Sequence, residues 1–211
     1  MSKPIDFDKA ASTWDLEPRR IQMVADVAQA MAAELALSPE MEVLDFGCGT
    51  GLLTLHLHPL VGRITGADTS RGMLEALVAK LQDQGIANVS TLLLDEDPAA
   101  PLPGAYDLIV SNMTLHHVQD VAGLLGRMRQ ALKPGGRVCL TDLDLDNGEF
   151  HGDAAGVFHD GFGRDWLRGQ FEAAGLPVEA QRTAATMRKP GGNGAPRDFT
   201  IFMTIGRKPA A

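Results

Sequence analysis

Residues 43–53 read VLDFGCGTGLL and set an acid, Asp45, and a cysteine, Cys48, among three glycines, Gly47, Gly49 and Gly51. Glycine permits positive φ and lets a ligand approach the main chain, and the N–H groups that open a following helix favour a negatively charged group. The next apolar run ends in Asp68, near where an acid accepts hydrogen bonds from the two hydroxyls of a ribose. A dinucleotide fingerprint would read G-x-G-x-x-G. Here the spacing is G-x-G-x-G, Leu52 takes the fingerprint's last place, and Asp45 would repel a pyrophosphate but pair with an ammonium. Asp68 alone has a plainer reading as a solvated surface acid, and the loop alone as a tight turn. Together they describe a nucleoside ligand that also carries the charges of an amino acid. Further along, His116 and His117 follow a strand end and Asp142 ends a later strand. These three are the candidate catalytic residues, because histidine titrates near neutral pH and can take a proton from an acceptor. A histidine bonded to backbone at a helix start is the plainer alternative.

The elements that must position these groups alternate. Ile21, Val24, Ala28, Met31 and Leu35 recur at helical steps within residues 17–37. Short apolar strands are expected at 41–46, 63–68, 88–95, 106–112 and 137–142, the last after a KPGG turn at 133–136, with a helix from about Leu52 and another capped by Ser70. Strands each followed by a helical stretch predict an α/β fold with a doubly wound, mostly parallel sheet. The end of the chain changes style. A short amphipathic helix at 165–177 precedes two strands, 178–185 and 198–206, joined by the Pro- and Gly-interrupted segment 182–198, which reads as a mobile loop. That pattern predicts an antiparallel C-terminal hairpin and seven strands in all.

Composition sets outer limits. The chain has 211 residues, 45% apolar and 22% charged, which favours one domain with a real core. We divide it into an N-terminal lid and helix (1–40), a ligand-binding core (41–142), and an acceptor-side segment with the hairpin (143–211). No apolar run approaches the roughly 20 residues of a membrane span. A start without an apolar signal core, and two cysteines read as small buried residues, fit the cytoplasm. A net charge of −8 with no basic stripe makes nucleic acid a poor partner.

At this point the sequence resembles the class I S-adenosylmethionine-dependent methyltransferases, in the broad group near the ubiquinone and menaquinone biosynthesis C-methyltransferases. VLDFGCGTG, GADTSRGML, LLLDED, YDLIVSNMTLHHV and LKPGGRV fall in family order across residues 41–142. The resemblance implies a Rossmann-like fold with S-adenosylmethionine as cofactor. It implies Asp45 near the methionyl ammonium, and Gly47 through Gly51, Cys48 included, along the methionyl moiety. Asp68 would hold the ribose, Thr69 and Met73 would lie beside the adenosine, Asp95 and Glu96 at the adenine edge, and Asn112 and Met113 beside the donor. FDKAASTWD, residues 7–15, is similar to the family's N-terminal lid.

The acceptor is expected to be a small molecule. NMTLHH lacks the two prolines of the Asn/Asp-Pro-Pro-aromatic run found in many enzymes that methylate amines of nucleic acids and proteins. Residues 141–153 read as an acidic wall on the acceptor side, and 150–162 as a roof with Phe150, Phe158 and Phe162 as apolar walls. The aspartates faintly echo a calcium loop, but Asn147 stands where that loop needs glycine. Asp142, His151, Asp153 and His159 have no clear spacing for a divalent metal, and none is expected. Three rivals share the fold: another transferase using the same nucleotide, such as an aminopropyl transferase; a regulator that binds the cofactor without turnover; and a nicotinamide dehydrogenase, which the shortened glycine spacing and Asp45 disfavour.

Overall fold

The computed structural model describes residues 6–95, 97, 99–151, 155–191 and 194–210. Among them seven strands form one sheet: β1 (Glu42–Phe46), β2 (Arg63–Asp68), β3 (Val89–Leu93), β4 (Tyr106–Asn112), β5 (Leu132–Leu143), β6 (Val178–Pro190) and β7 (Pro196–Arg207). Their order is β3-β2-β1-β4-β5-β7-β6, and only β7 runs against its neighbours. The helices are α1 (Phe7–Ala10), α2 (Pro18–Glu34), α3 (Leu52–Leu57), α4 (Arg71–Gln84), α5 (Val121–Ala131) and α6 (Arg164–Ala173). This is the expected mostly parallel sheet with a reversed final hairpin.

Successive strand residues point to opposite faces, so a parallel strand covered by helices on both sides is apolar throughout. Val43 and Leu44 show it. Val43 packs with α2 and α3 (Val27, Met31, Leu57), whereas Leu44 packs with α5 and α6 (Leu124, Leu125, Phe171). On α2 the inward stripe is Met23, Val24, Val27, Ala28 and Met31, while Ile21, expected on it, is 41% exposed. Ser70 caps α4, its hydroxyl accepting from Met73 N–H at 3.2 Å.

Three expectations are corrected. First, the connection from β3 to β4, residues 94–105, contains no helix among its described residues, since Pro101 and Pro103 break any helical run. Second, KPGG is no free turn. Gly135 N–H donates to Lys208 O at 3.1 Å and Lys208 N–H to Gly136 O at 2.8 Å, so the end of the chain draws residues 133–136 into β5. Third, most of 182–198 is paired strand rather than loop: the ladder runs from Arg182 opposite Met203 to Pro190 opposite Pro196. The two prolines end this edge hairpin, where no further ladder N–H is required. Ala185 and Met187 give the extended strand an inward apolar face.

Strand order reverses beside β1, where the chain returns from β3 to form β4 on its other side. Ligands of open α/β sheets bind outside the carboxyl ends of the strands at such a switch.

Candidate functional site

A cavity of about 580 Å³ opens at that place. One side is made by the loop after β1, which the sheet itself anchors: Gly47 and Cys48 N–H both donate to Ala67 O on β2, at 2.8 and 3.0 Å. Gly47 has φ +70°, and a Cβ there would stand 2.3 Å from Thr114, in the turn after β4. Gly51, at φ +82°, would drive a Cβ to 2.3 Å from Leu77 of α4. Both positions therefore need glycine on two counts, conformation and close packing.

Two acids flank the loop. Asp45 is 1% exposed and its Oδ2 accepts from Thr54 Oγ1 at 2.6 Å. Burial pushes its carboxyl up to about 7, reinforced by the nearby Asp68 and opposed by the Thr54 hydrogen bond. Asp68 accepts from Gly49 N–H at 2.8 Å and from Ser70 N–H at 2.9 Å. Burial raises its pKa as well, and those backbone bonds lower it. Asp68 thus fixes the loop while facing the cavity. Cys48 lines the cavity, but its side chain packs with Leu74, Leu77 and Leu81, and burial holds its thiol well above the ordinary value.

The N-terminal segment closes over this half. Asp8 Oδ1 accepts from Ser70 Oγ at 2.5 Å and from Gly72 N–H at 2.8 Å, and Asp15 Oδ1 accepts from Thr50 Oγ1 at 2.6 Å. These bonds bring Phe7 and Trp14 into the cavity wall, their ring centroids 5.7 Å apart. Arg20 lies over Trp14, its guanidinium carbon 3.8 Å from the ring centroid, and donates to the Trp14 carbonyl.

The other half carries three histidines. After Asn112 the chain turns through Met113, at φ +53°, into a short 3₁₀ helix, Leu115–His117. His116 is 1% exposed and lines the cavity, with Nδ1 2.8 Å from Asp142 Oδ1. Asp142 also accepts from His116 N–H at 3.2 Å and Leu143 N–H at 2.8 Å. A carboxylate that accepts Nδ1–H leaves Nε2 as the lone pair of the ring, the arrangement of a general base oriented by an acid. His117 Nδ1 lies 2.7 Å from Gly156 O, which makes it the donor there. The ring centroid of His116 is 4.2 Å from that of His117 and 4.5 Å from that of His151. Burial lowers the His117 pKa and takes that of His151 to about 4, with His116 the next cause for both.

Of the residues singled out from sequence, the cavity gathers Asp45, Gly47, Cys48, Gly49, Asp68, Thr69, Met73, Asn112, Met113, His116 and His117. Gly51 and Asp142 stand behind it. Asp95 is exposed and bonds Asp97 N–H at 2.9 Å, and Leu94 faces the cavity in its place. Glu96 and Asp153 lie outside the described residues. The acidic wall is turned inward: Asp144 pairs with Arg164 and accepts from Thr200, and Asp146 accepts from Gly148 and Phe150 N–H. Each stabilises the chain reversal after β5 instead of facing an acceptor. Only Phe150 of the three expected phenylalanines lines the cavity. Phe162 is buried against Leu167 and Phe171, and Phe158 is 54% exposed. His159 bonds Val118 O at 2.9 Å, and among the described residues no group of three or more His, Cys, Asp or Glu could hold a metal. Missed altogether were Arg20, Met23, Met187 and Lys189. For Met187 and Lys189 the signal was alternation within the segment taken as loop.

A methyltransferase domain model matches residues 18–181. The chain belongs to that family, in its class I, S-adenosylmethionine-dependent form. A methyltransferase of Schizosaccharomyces pombe named as uncharacterized is 33% identical over 53% of this chain and 42% of its own length. The ubiquinone/menaquinone biosynthesis C-methyltransferase of Shewanella frigidimarina is 34% identical over 54% and 47%. The chain thus spans about half the length of these curated relatives. Among solved structures, a methyltransferase in complex with the Haloferax volcanii Trm112 activator superposes with a TM-score of 0.79 at 21% identity, covering 99% of this chain and 100% of that one, which shows the shared fold.

Proposed function

We propose that the chain transfers the methyl group of S-adenosylmethionine to a small-molecule acceptor, and that His116 Nε2 receives the proton the acceptor gives up. The observation that carries this reading is the His116–Asp142 pair, set into the same cavity as the glycine loop, Asp45 and Asp68. Asp45 would take the methionyl ammonium, Arg20 the carboxylate and Asp68 the ribose. Thr69, Met73 and Leu94 would enclose the adenosine, and Asn112 and Met113 would hold the methionyl side. In the reaction the acceptor's lone pair forms a bond to the methyl carbon, the carbon–sulfur bond breaks, and S-adenosylhomocysteine leaves as the neutral thioether. The chain's contribution is alignment together with proton removal. Asp142, which does not reach the cavity, acts as a positioning residue that fixes the His116 tautomer.

A small acceptor is supported by the cavity's size, and by a relative whose name places it in quinone biosynthesis. The net charge of −8 argues against nucleic acid. Two buried free cysteines suit a reducing cytoplasm, and no helix among the described residues is long and apolar enough to cross a membrane. Calorimetry with S-adenosylmethionine, S-adenosylhomocysteine and NAD tests the cofactor, and labelled cofactor with a metabolite extract tests turnover. The expected result is binding of the first two and label in one small compound. NAD binding alone would sink the assignment, spermidine-type products would favour aminopropyl transfer, and affinity without any labelled product would favour the regulator.

A further inference from the structure

Two cations of the cavity, Arg20 and Lys189, pair with no carboxylate among the described residues, and Arg20 belongs to the half proposed to hold the donor. Arg19 is tied to Glu17 by two hydrogen bonds of 2.9 and 3.0 Å, and Arg20 is stacked on Trp14. On the hairpin, Arg188 pairs with Asp198 at 3.6 Å and Arg197 with Glu149 at 2.7 Å. Lys189 lies between these positions in sequence but on the cavity side of β6. It pairs with no carboxylate among the described residues. Its ammonium sits 3.9 Å from the Phe150 ring centroid and donates to the Phe150 carbonyl. Burial lowers its pKa, with Arg19 the next cause. Asp146 and Glu17 act on it the other way from beyond ion-pair distance, and a partly buried ammonium with no carboxylate in contact is stabilised by an anionic ligand.

A second observation comes from the neighbouring side chain. His151 Nε2 is buried and has no hydrogen-bond partner among the described residues. Its ring is 4.8 Å from that of Phe150 and 4.5 Å from that of His116, so the histidine and the ammonium both adjoin Phe150, close enough that Lys189 is one of the charges acting on His151. The surrounding wall is Met23, Val24, Met113 and Met187, unbranched or small apolar side chains that adapt to ligand shape. A carboxylate has two oxygens to satisfy, and this wall offers an ammonium and one neutral imidazole N–H.

We infer that the acceptor is a carboxylic acid with an apolar body, its carboxylate held by Lys189 Nζ and His151 Nε2 while its reacting atom faces His116. This rests on the methyl-transfer reading and adds the substrate class. Lys189 is then the specificity-determining residue of the acceptor half.

The test uses matched probes, 2-naphthoate with 2-naphthamide and octanoate with octanamide, in calorimetry on the whole chain saturated with S-adenosylhomocysteine. The carboxylate of at least one pair should bind about tenfold or more tighter than its amide, as expected for one charge-assisted contact. Lys189→Met should erase that preference, Lys189→Arg should retain it, and S-adenosylhomocysteine affinity should be the same in all three proteins, which also reports that the variants fold. Equal affinity for acid and amide in the unmodified protein, no binding of any probe, or a preference that survives Lys189→Met would overturn the inference. Failure of S-adenosylhomocysteine to bind would count against the donor reading instead, and the acid-to-amide comparison is then made on the unliganded chain.

Discussion

The two halves of the cavity are built in opposite ways. The half proposed to hold the donor comes mostly from one β-α-β unit, Asp45 to Met73, and presents backbone N–H donors, glycines and two acids held by short local bonds. The half proposed to hold the acceptor is assembled from α2, the turn after β4, residues 150–151 after β5, and Met187 to Pro190 of β6. Its working groups are side chains. A site made of main chain binds what every member of a fold class binds, whereas a site made of side chains from distant segments can change acceptor without disturbing the sheet. The two halves meet at Thr114, which packs on Gly47 and also donates to its carbonyl at 3.2 Å.

The sharpest way to separate the halves is His116→Ala. With a carboxylate-oriented base removed, methylation should slow by about 10²- to 10⁴-fold while cofactor affinity stays nearly constant. Single-turnover rates on an identified acceptor check this, and a near-normal rate would leave alignment as the whole mechanism. Asp142→Asn should act through His116, lowering the rate and altering its pH profile without touching cofactor affinity.

Asp68→Ala should do the reverse. Loss of charge-assisted bonds to ribose costs about 1.5 to 3 kcal/mol each, and it appears as weaker cofactor binding. The Gly49 and Ser70 N–H groups also lose their carboxylate acceptor, so the unliganded variant should melt at a lower temperature. An unchanged dissociation constant would detach Asp68 from the ligand.

A smaller effect tests Asp45. Because its folded-state pKa is raised to about 7, the free protein favours the protonated acid only below that pH. The contribution of Asp45 to stability is therefore full below the ordinary carboxylate range and declines as pH rises through about 7. An ammonium pairs only with the ionised form, so cofactor affinity should rise over the same window, by at most about tenfold per pH unit, with proton release on binding. Calorimetry in buffers of different ionisation enthalpy reads that proton directly. Asp45→Asn should remove the pH dependence, and an unaltered slope would place the ammonium elsewhere.

The sequence by itself determined the parallel core and the half of the cavity built on the glycine loop. Apolar runs of strand length, punctuated by glycine and by a Ser70 cap, are local signals, and β2 and β4 fall where periodicity alone puts them. The glycine loop was legible because its conformational demand is written in residue type. The tertiary structure decided the rest. Whether Asp142 faces solvent or His116, whether Asp144 meets an acceptor or Arg164, and whether Leu94 or Asp95 enters the cavity depend on pairings between segments far apart in the chain. The hairpin shows the same limit. Lys189 lies among Pro, Gly and Arg residues that locally favour a turn, and it becomes part of the site only because β7 supplies the ladder that holds β6 extended to Pro190. Long-range hydrogen bonding outweighed local propensity there, and with it came the acceptor half of the cavity.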